Sequence, residues 1–158
     1  MFEYRSPADE IIPNLFLGSI FAGWNSDYLR KNRVRSVLQV CPTLQQTPKS
    51  PSNIERWTIP VDDIPETDLL HYFPYTTHWI HYQLHSGRKT LIHCMAGVSR
   101  SATILSAYLM VRYRWSTQQT IQYIRQRRPI IQPNPGFIKQ LQLWEIYLQQ
   151  HPNLYLNP

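Results

Sequence analysis

Only two cysteines, Cys41 and Cys94, occur in 158 residues. That is too few for a four-ligand structural zinc site or for the disulfide framework of a small secreted domain. No apolar run approaches the roughly 18 residues that a membrane-spanning helix requires. The first ten residues, MFEYRSPADE, carry charge early and hold no apolar core, so no secretory leader is read there. Acidic residues are also short: ten Asp and Glu face sixteen Lys and Arg, a net charge of +6. Charge of that sign points to acidic partners, yet neither zinc-finger spacing nor an RNA-binding aromatic signature accompanies it. Phosphorylated or acidic substrates are therefore expected as partners, and nucleic acid is not. These absences place the chain in a reducing, intracellular compartment, cytoplasmic or nuclear. The length fits a single domain over residues 1–158 that buries about two-thirds of its unfolded surface without metal or disulfide staples.

Strand signals concentrate in the first half. Ile11-Ile12 and Leu15-Phe16-Leu17, split by Pro13-Asn14, read as short strands ending at Gly18. Ser26 to Asn32 closes a short helix, and Val34 to Val40 is the expected central strand, stopped by Cys41-Pro42. The proline-containing stretch 42–53 is a loop, and Ile54 to Ile59 is a further strand. Asp68 to Ser86 reads as an aromatic-rich helix ending at Gly87, kinked or restarted at Pro74. Ser116 to Gln119 fits a capping box, whose helix must stop before Pro129. Asn134-Pro135 is an N-cap and first-turn pair, after which Phe137, Leu141, Trp144 and Leu148 recur on one helical face. Strands early and helices late imply α/β: a central, mostly parallel, twisted sheet flanked by helices.

The chemistry concentrates in His93 to Thr103, HCMAGVSRSAT. The β-like Thr90-Leu91-Ile92 precedes it and the apolar helix Ser101–Val111 follows. Strand, tight loop, helix is the arrangement that aims backbone N–H groups and a helix N-terminus at one point. Cys94 and Arg100 bracket the loop. A thiol attacks phosphorus as its thiolate, the form that such dipoles stabilise, which makes Cys94 the candidate nucleophile. Gly97 supplies a positive φ and close backbone approach. The Arg100 guanidinium grips two phosphate oxygens in a planar fork, and the amides of Met95, Ala96, Gly97, Val98 and Ser99 cradle the rest. Ser101 is placed to hydrogen-bond the departing thiolate, and His93 orders the loop rather than acting as a base. A departing alkoxide needs a proton, so a carboxylic acid must come from another segment. Asp62-Asp63, at a strand end before a Pro-containing loop, is the candidate. No metal or other cofactor is required.

With these residues in hand, the chain resembles the cysteine-based dual-specificity protein phosphatases, as a single-domain, atypical member. NLFLGS (14–19), VRSVLQV (34–40), IPVDD (59–63), AYLMVRY (107–113) and RRPIIQPNPGF (127–137) carry the resemblance beside the loop, so it covers nearly the whole chain. VDDIPETDLL (61–70) is similar to the phosphatase half of Yvh-type enzymes, whose added zinc-binding domain has no counterpart here. The resemblance implies a protein tyrosine phosphatase-like fold and hydrolysis of phosphotyrosine, phosphoserine and phosphothreonine through a phosphocysteine. It puts the acid at Asp63 rather than Asp62, makes Asn134 a brace of the loop, and sets Arg128 beside the pocket, suited to a second phosphate. Lys31-Asn32-Arg33 is similar to the tyrosine-recognition segment of related enzymes, but Val34 stands where Tyr is expected, and it is read as a decoy. Competing substrates are phosphoinositides and RNA 5′-phosphates; Met95, Ala96 and Val98, where inositol phosphatases tend to carry Lys, speak against lipid. A phospho-binding scaffold without turnover is the remaining competitor.

Cys41 has two readings. At a strand end beside the crevice it could close a protective disulfide with Cys94, as lipid-phosphatase relatives do; against this, a free cysteine usually serves as a small buried hydrophobe. His78, His81 and His85 share one helical face, but without an accompanying acid they read as a polar face rather than a metal site.

Overall fold

The structure is a computed structural model, described for residues 6–45, 47–154 and 156. Residues 1–5, on which part of the leader reading rests, lie outside the described ones. A five-stranded sheet has the order β1-β2-β5-β3-β4, with β1 Ala8–Ile12, β2 Leu15–Gly18, β3 Val34–Gln39, β4 Glu55–Thr58 and β5 Lys89–His93. Only β1 runs antiparallel, joined to β2 by the Pro13-Asn14 turn, in which Asn14 takes φ 68°. The other pairings are parallel, as the helical crossovers require.

β5, not β3, holds the middle of the sheet. The chain leaves β4 at one edge, crosses through α3 (Phe73–His85) and inserts β5 between β2 and β3. Thr90, Leu91, Ile92 and His93 are fully buried in consequence. Alternation along the strands sorts side chains to two faces. Leu91 and Val37 join Ala22 and Leu29 of α1 (Ile20–Gly23) and α2 (Ser26–Lys31) on one face. Ile92 and Leu38 join the larger helical core on the other.

That larger core is built around α4 (Arg100–Tyr113), buried at every residue from Arg100 to Val111. A helix apolar on all sides must be wrapped, and α3, α5 (Thr117–Arg127) and α6 (Pro135–Gln150) wrap it. The expected helix over 68–86 is divided: Leu70–Tyr72 forms a 3₁₀ turn and α3 restarts with Pro74 in its first turn, where a missing N–H costs nothing. Both predicted caps form. Ser116 and Gln119 exchange the two capping-box bonds, and the Asn134 side chain accepts from Phe137 N at 3.0 Å. Phe137, Leu141, Trp144 and Leu148 are the buried face of α6, and the Trp144 indole N–H donates to Ala107 O at 3.2 Å, tying α6 to α4. Among the described residues no helix is long and apolar enough to cross a membrane.

Truncating Leu105, fully buried in α4, is expected to cost about 2–5 kcal/mol. Urea unfolding of Leu105→Ala should show a lower midpoint with an unchanged slope.

Candidate active site

β5 ends at His93 and α4 begins at Arg100, so residues 94–99 form a loop at the carboxyl end of the middle strand. Each carbonyl of that loop accepts a hydrogen bond. Cys94 O takes the His93 Nδ1–H at 3.0 Å, and Met95 O takes Ile20 N at 3.1 Å. Ala96 O and Gly97 O take Arg128 NH2 and Nε at 3.2 and 2.9 Å. Val98 O accepts from Gln132 N, and Ser99 O from Thr103 N. With the carbonyls held outward, no backbone N–H from Met95 to Arg100 donates a hydrogen bond among the described residues. A ring of free donors around a helix N-terminus is an anion cradle.

Gly97 makes the curvature possible. Its φ is +68°, and a Cβ there would lie 2.5 Å from Gly18 O and 2.7 Å from Arg128 NH2. Cys94 is nearly fully buried, with Sγ 3.1 Å from Ser101 Oγ. Arg100 donates from NH1 to Val61 O at 3.0 Å, while its Nε is buried without a hydrogen-bond partner. One edge of the fork is therefore still open.

The two aspartates separate cleanly. Asp63 Oδ1 accepts from Ser99 Oγ at 2.7 Å and from Asn134 Nδ2 at 2.9 Å, and Ser99 Oγ in turn accepts from Asn134 N at 3.0 Å. The only hydrogen bond of Asp62 among the described residues is at its carbonyl, from Thr67 Oγ1. The carboxylate that reaches the cysteine loop is Asp63. Ser99 leaves its backbone N–H free and links the loop to Asp63 through its hydroxyl. The aspartate loop is pinned from α6. Gln140 Oε1 accepts from Leu69 N and Leu70 N while its Nε2 donates to Thr67 O. At Gly136 a Cβ would lie 2.1 Å from Pro65 O, so only glycine lets the two segments meet.

Arg128 departs from expectation. It is 1% exposed, and besides the two loop carbonyls it donates from NH1 to Asp9 Oδ2 at 2.8 Å and to Ser6 O at 3.2 Å. A cation engaged by a carboxylate and three carbonyls is not available to a second phosphate; it is a strut under the loop. His93 is likewise structural in its placement. Burial, the largest cause, and the Arg56 charge push its pKa down to about 4 against the opposing hydrogen bond to Cys94 O. Cys41 and Cys94 are both free thiols. Burial and the neighbouring Cys94 push the Cys41 thiol up to about 11, with Arg100 and Arg56 pulling the other way. Among the described residues no His, Cys, Asp or Glu cluster could hold a metal. The expected polar face of α3 is divided: His81 is buried and lies against His85, with ring centroids 3.9 Å apart and planes tilted by 42°.

Asp9, Gln132, Gly136, Gln140 and Arg56 were not legible as site residues. Asp9 is 119 positions from Arg128, and no local pattern announces such a pair.

Residues 15–147 match the model of the dual specificity phosphatase catalytic domain. The chain belongs to that family, the cysteine-dependent dual-specificity protein phosphatases. It is 39% identical over 149 residues to Dual specificity protein phosphatase 1B of Arabidopsis thaliana, covering 94% of this chain and 88% of that protein. To a Protein phosphatase Slingshot homolog of Xenopus laevis it is 37% identical over 150 residues, covering 92% of this chain but only 21% of that longer protein. Among solved structures, human DUSP28 superposes with a TM-score of 0.82 at 32% identity, covering 91% of this chain and 96% of that one. The Yvh1 phosphatase domain from Chaetomium thermophilum gives 0.79 at 26%, covering 92% and 98%. The Yvh-type likeness is thus one among several and is not specific.

Two outcomes are expected here. Arg128→Met breaks a buried pair with Asp9 and frees two loop carbonyls; thermal or urea unfolding should show a loss of about 3–5 kcal/mol, and turnover should fall with it. The second concerns pH. His93 is neutral in the fold down to about pH 4, whereas the unfolded residue takes up its proton near 6.5. Between those values the unfolded state binds the extra proton, so stability present above pH 6.5 is lost as pH falls toward 4, by about 3 kcal/mol. Urea melts across pH 4–7.5 should give a shallower acid loss for His93→Gln than for the native chain.

Proposed function

We propose that this chain hydrolyses phosphotyrosine, phosphoserine and phosphothreonine in proteins through a phosphocysteine intermediate. The observation that carries the reading is the outward capture of all six loop carbonyls, 94–99, around a buried thiol with an aspartate tied to the loop's edge. In the first step Cys94 Sγ bonds to phosphorus as the P–O bond to the leaving group breaks, and Asp63 gives that oxygen its proton. The loop amides of Met95, Ala96, Gly97, Val98 and Ser99, with Arg100, hold the three non-bridging oxygens as charge redistributes. In the second step Asp63 takes a proton from water, the water oxygen bonds to phosphorus, and the S–P bond breaks. Ser101 Oγ, 3.1 Å from Sγ, donates to the thiolate as it leaves. Asn134 braces both Ser99 and Asp63.

The internal use of Arg128 supports substrates with a single phosphate over inositol polyphosphates, since the second-phosphate role falls away. No redox role is assigned to Cys41, whose thiol keeps its proton at neutral pH. A binding scaffold has no use for an acid tied to the edge of the nucleophile's loop.

The test is hydrolysis of p-nitrophenyl phosphate and of matched phosphotyrosine and phosphothreonine peptides, with reductant. Cys94→Ser should be inactive. Asp63→Ala should lose about 10²–10⁴-fold in kcat on the alkyl phosphate, with Asp62→Ala close to the native rate. A native chain that binds phosphopeptide without turnover establishes the scaffold instead, and preferential turnover of phosphoinositide vesicles or 5′-triphosphorylated RNA reassigns the substrate.

A further inference from the structure

Arg56 lies on β4, outside the loop and outside the acid segment, yet its guanidinium reaches the back of the site. NH2 donates to Gly23 O at 2.8 Å and NH1 to Gln39 Oε1 at 3.3 Å. NH1 also meets His93 Nε2 at 3.4 Å, and Nε donates to Ser50 Oγ. Every one of these partners is neutral, and no carboxylate stands within ion-pair distance of Arg56 among the described residues. A half-buried cation without a counter-ion is costly. Arg128 makes the contrast, because its charge is matched by Asp9.

The geometry around His93 shows what the cation does. The ring fills the space left by Gly23, where a Cβ would lie 2.2 Å from it. Arg56 can only donate, so Nε2 facing it must accept. The proton is thereby placed on Nδ1, which donates to Cys94 O. The cation thus selects the tautomer that fixes the first carbonyl of the loop.

We propose that Arg56 is a positioning residue of the reaction, a half-buried cation without a carboxylate partner that holds His93 as the neutral Nδ1–H tautomer and so fixes the carbonyl of Cys94 at the foot of the loop. This rests on the reading of Cys94 as nucleophile. Arg100 contacts the substrate, whereas Arg56 stands behind the loop and acts in the free enzyme.

The experiment compares the native chain with Arg56→Gln, Arg56→Lys and Ser50→Ala. The readout is the His93 tautomer by long-range ¹⁵N spectra, beside kcat and KM for p-nitrophenyl phosphate. Arg56→Gln should bring in the Nε2–H tautomer and lower kcat about tenfold with KM little changed. Arg56→Lys should restore most of both, and Ser50→Ala, which keeps the cation, should leave both in place. An unmoved tautomer and kcat in Arg56→Gln, or the same loss in the Lys and Gln variants, overturns the proposal. Long-range ¹⁵N spectra of His93 in the native chain supply a measurement that survives a variant failing to fold. An Nε2–H tautomer or an imidazolium at pH 6 also overturns it. If His93 holds the Nδ1–H tautomer in the native chain and loses it in Arg56→Gln but no phosphoester is turned over, the functional reading fails while the role of Arg56 stands.

Discussion

Six consecutive carbonyls have to be turned away from one point, and the rest of the molecule is arranged to hold them there. A free loop would satisfy its own carbonyls and N–H groups with water or with each other. Here the donors come from the N-terminus of α1, from the segment after α5, from α4 and from the end of β5. Inserting β5 in the middle of the sheet is what brings those donors within reach. β2 on one side delivers Ile20, and the buried α4 on the other forms the loop's continuation.

Three arginines surround the loop, and their environments divide the work. Arg128 is matched by Asp9 and locked to carbonyls, so it supplies rigidity with little net field. Arg56 is ringed by neutral acceptors, so its charge is unmatched. Arg100 borrows one carbonyl, Val61 O, and keeps a buried N–H free. Among the described residues, Arg100 is the loop arginine that keeps an N–H free, an arrangement that fits the single phosphoryl group proposed above. Cation count alone would have implied a site for several phosphates.

The acid is positioned by the same economy of contacts. Asn134 caps α6 with its side-chain oxygen, reaches Asp63 with its amide nitrogen, and donates its backbone N–H to Ser99. A helix N-cap thus also sets the distance between acid and loop. Gly136 and Gln140, within the next two turns, hold the intervening chain against the same helix. Motion of the aspartate loop and strain in α6 are consequently coupled, since neither segment can shift without breaking shared bonds.

Much of this was legible in the one-dimensional pattern, wherever the cause is local. The capping box at Ser116, the Asn134-Pro135 start, the restart at Pro74 and the strand–loop–helix around Cys94 all follow from contacts within a few residues. The preference for Asp63 over Asp62 came only through family resemblance, because two adjacent carboxylates are locally equivalent and only the packing of Asn134 and Ser99 separates them. The tertiary structure alone decided that β5 rather than β3 is central, that Arg128 faces inward to Asp9, and that Arg56 stands behind His93. Sheet order and the pairing of buried charges depend on chain crossovers spanning tens of residues. No spacing in the sequence encodes which cation meets an anion and which is left unmatched.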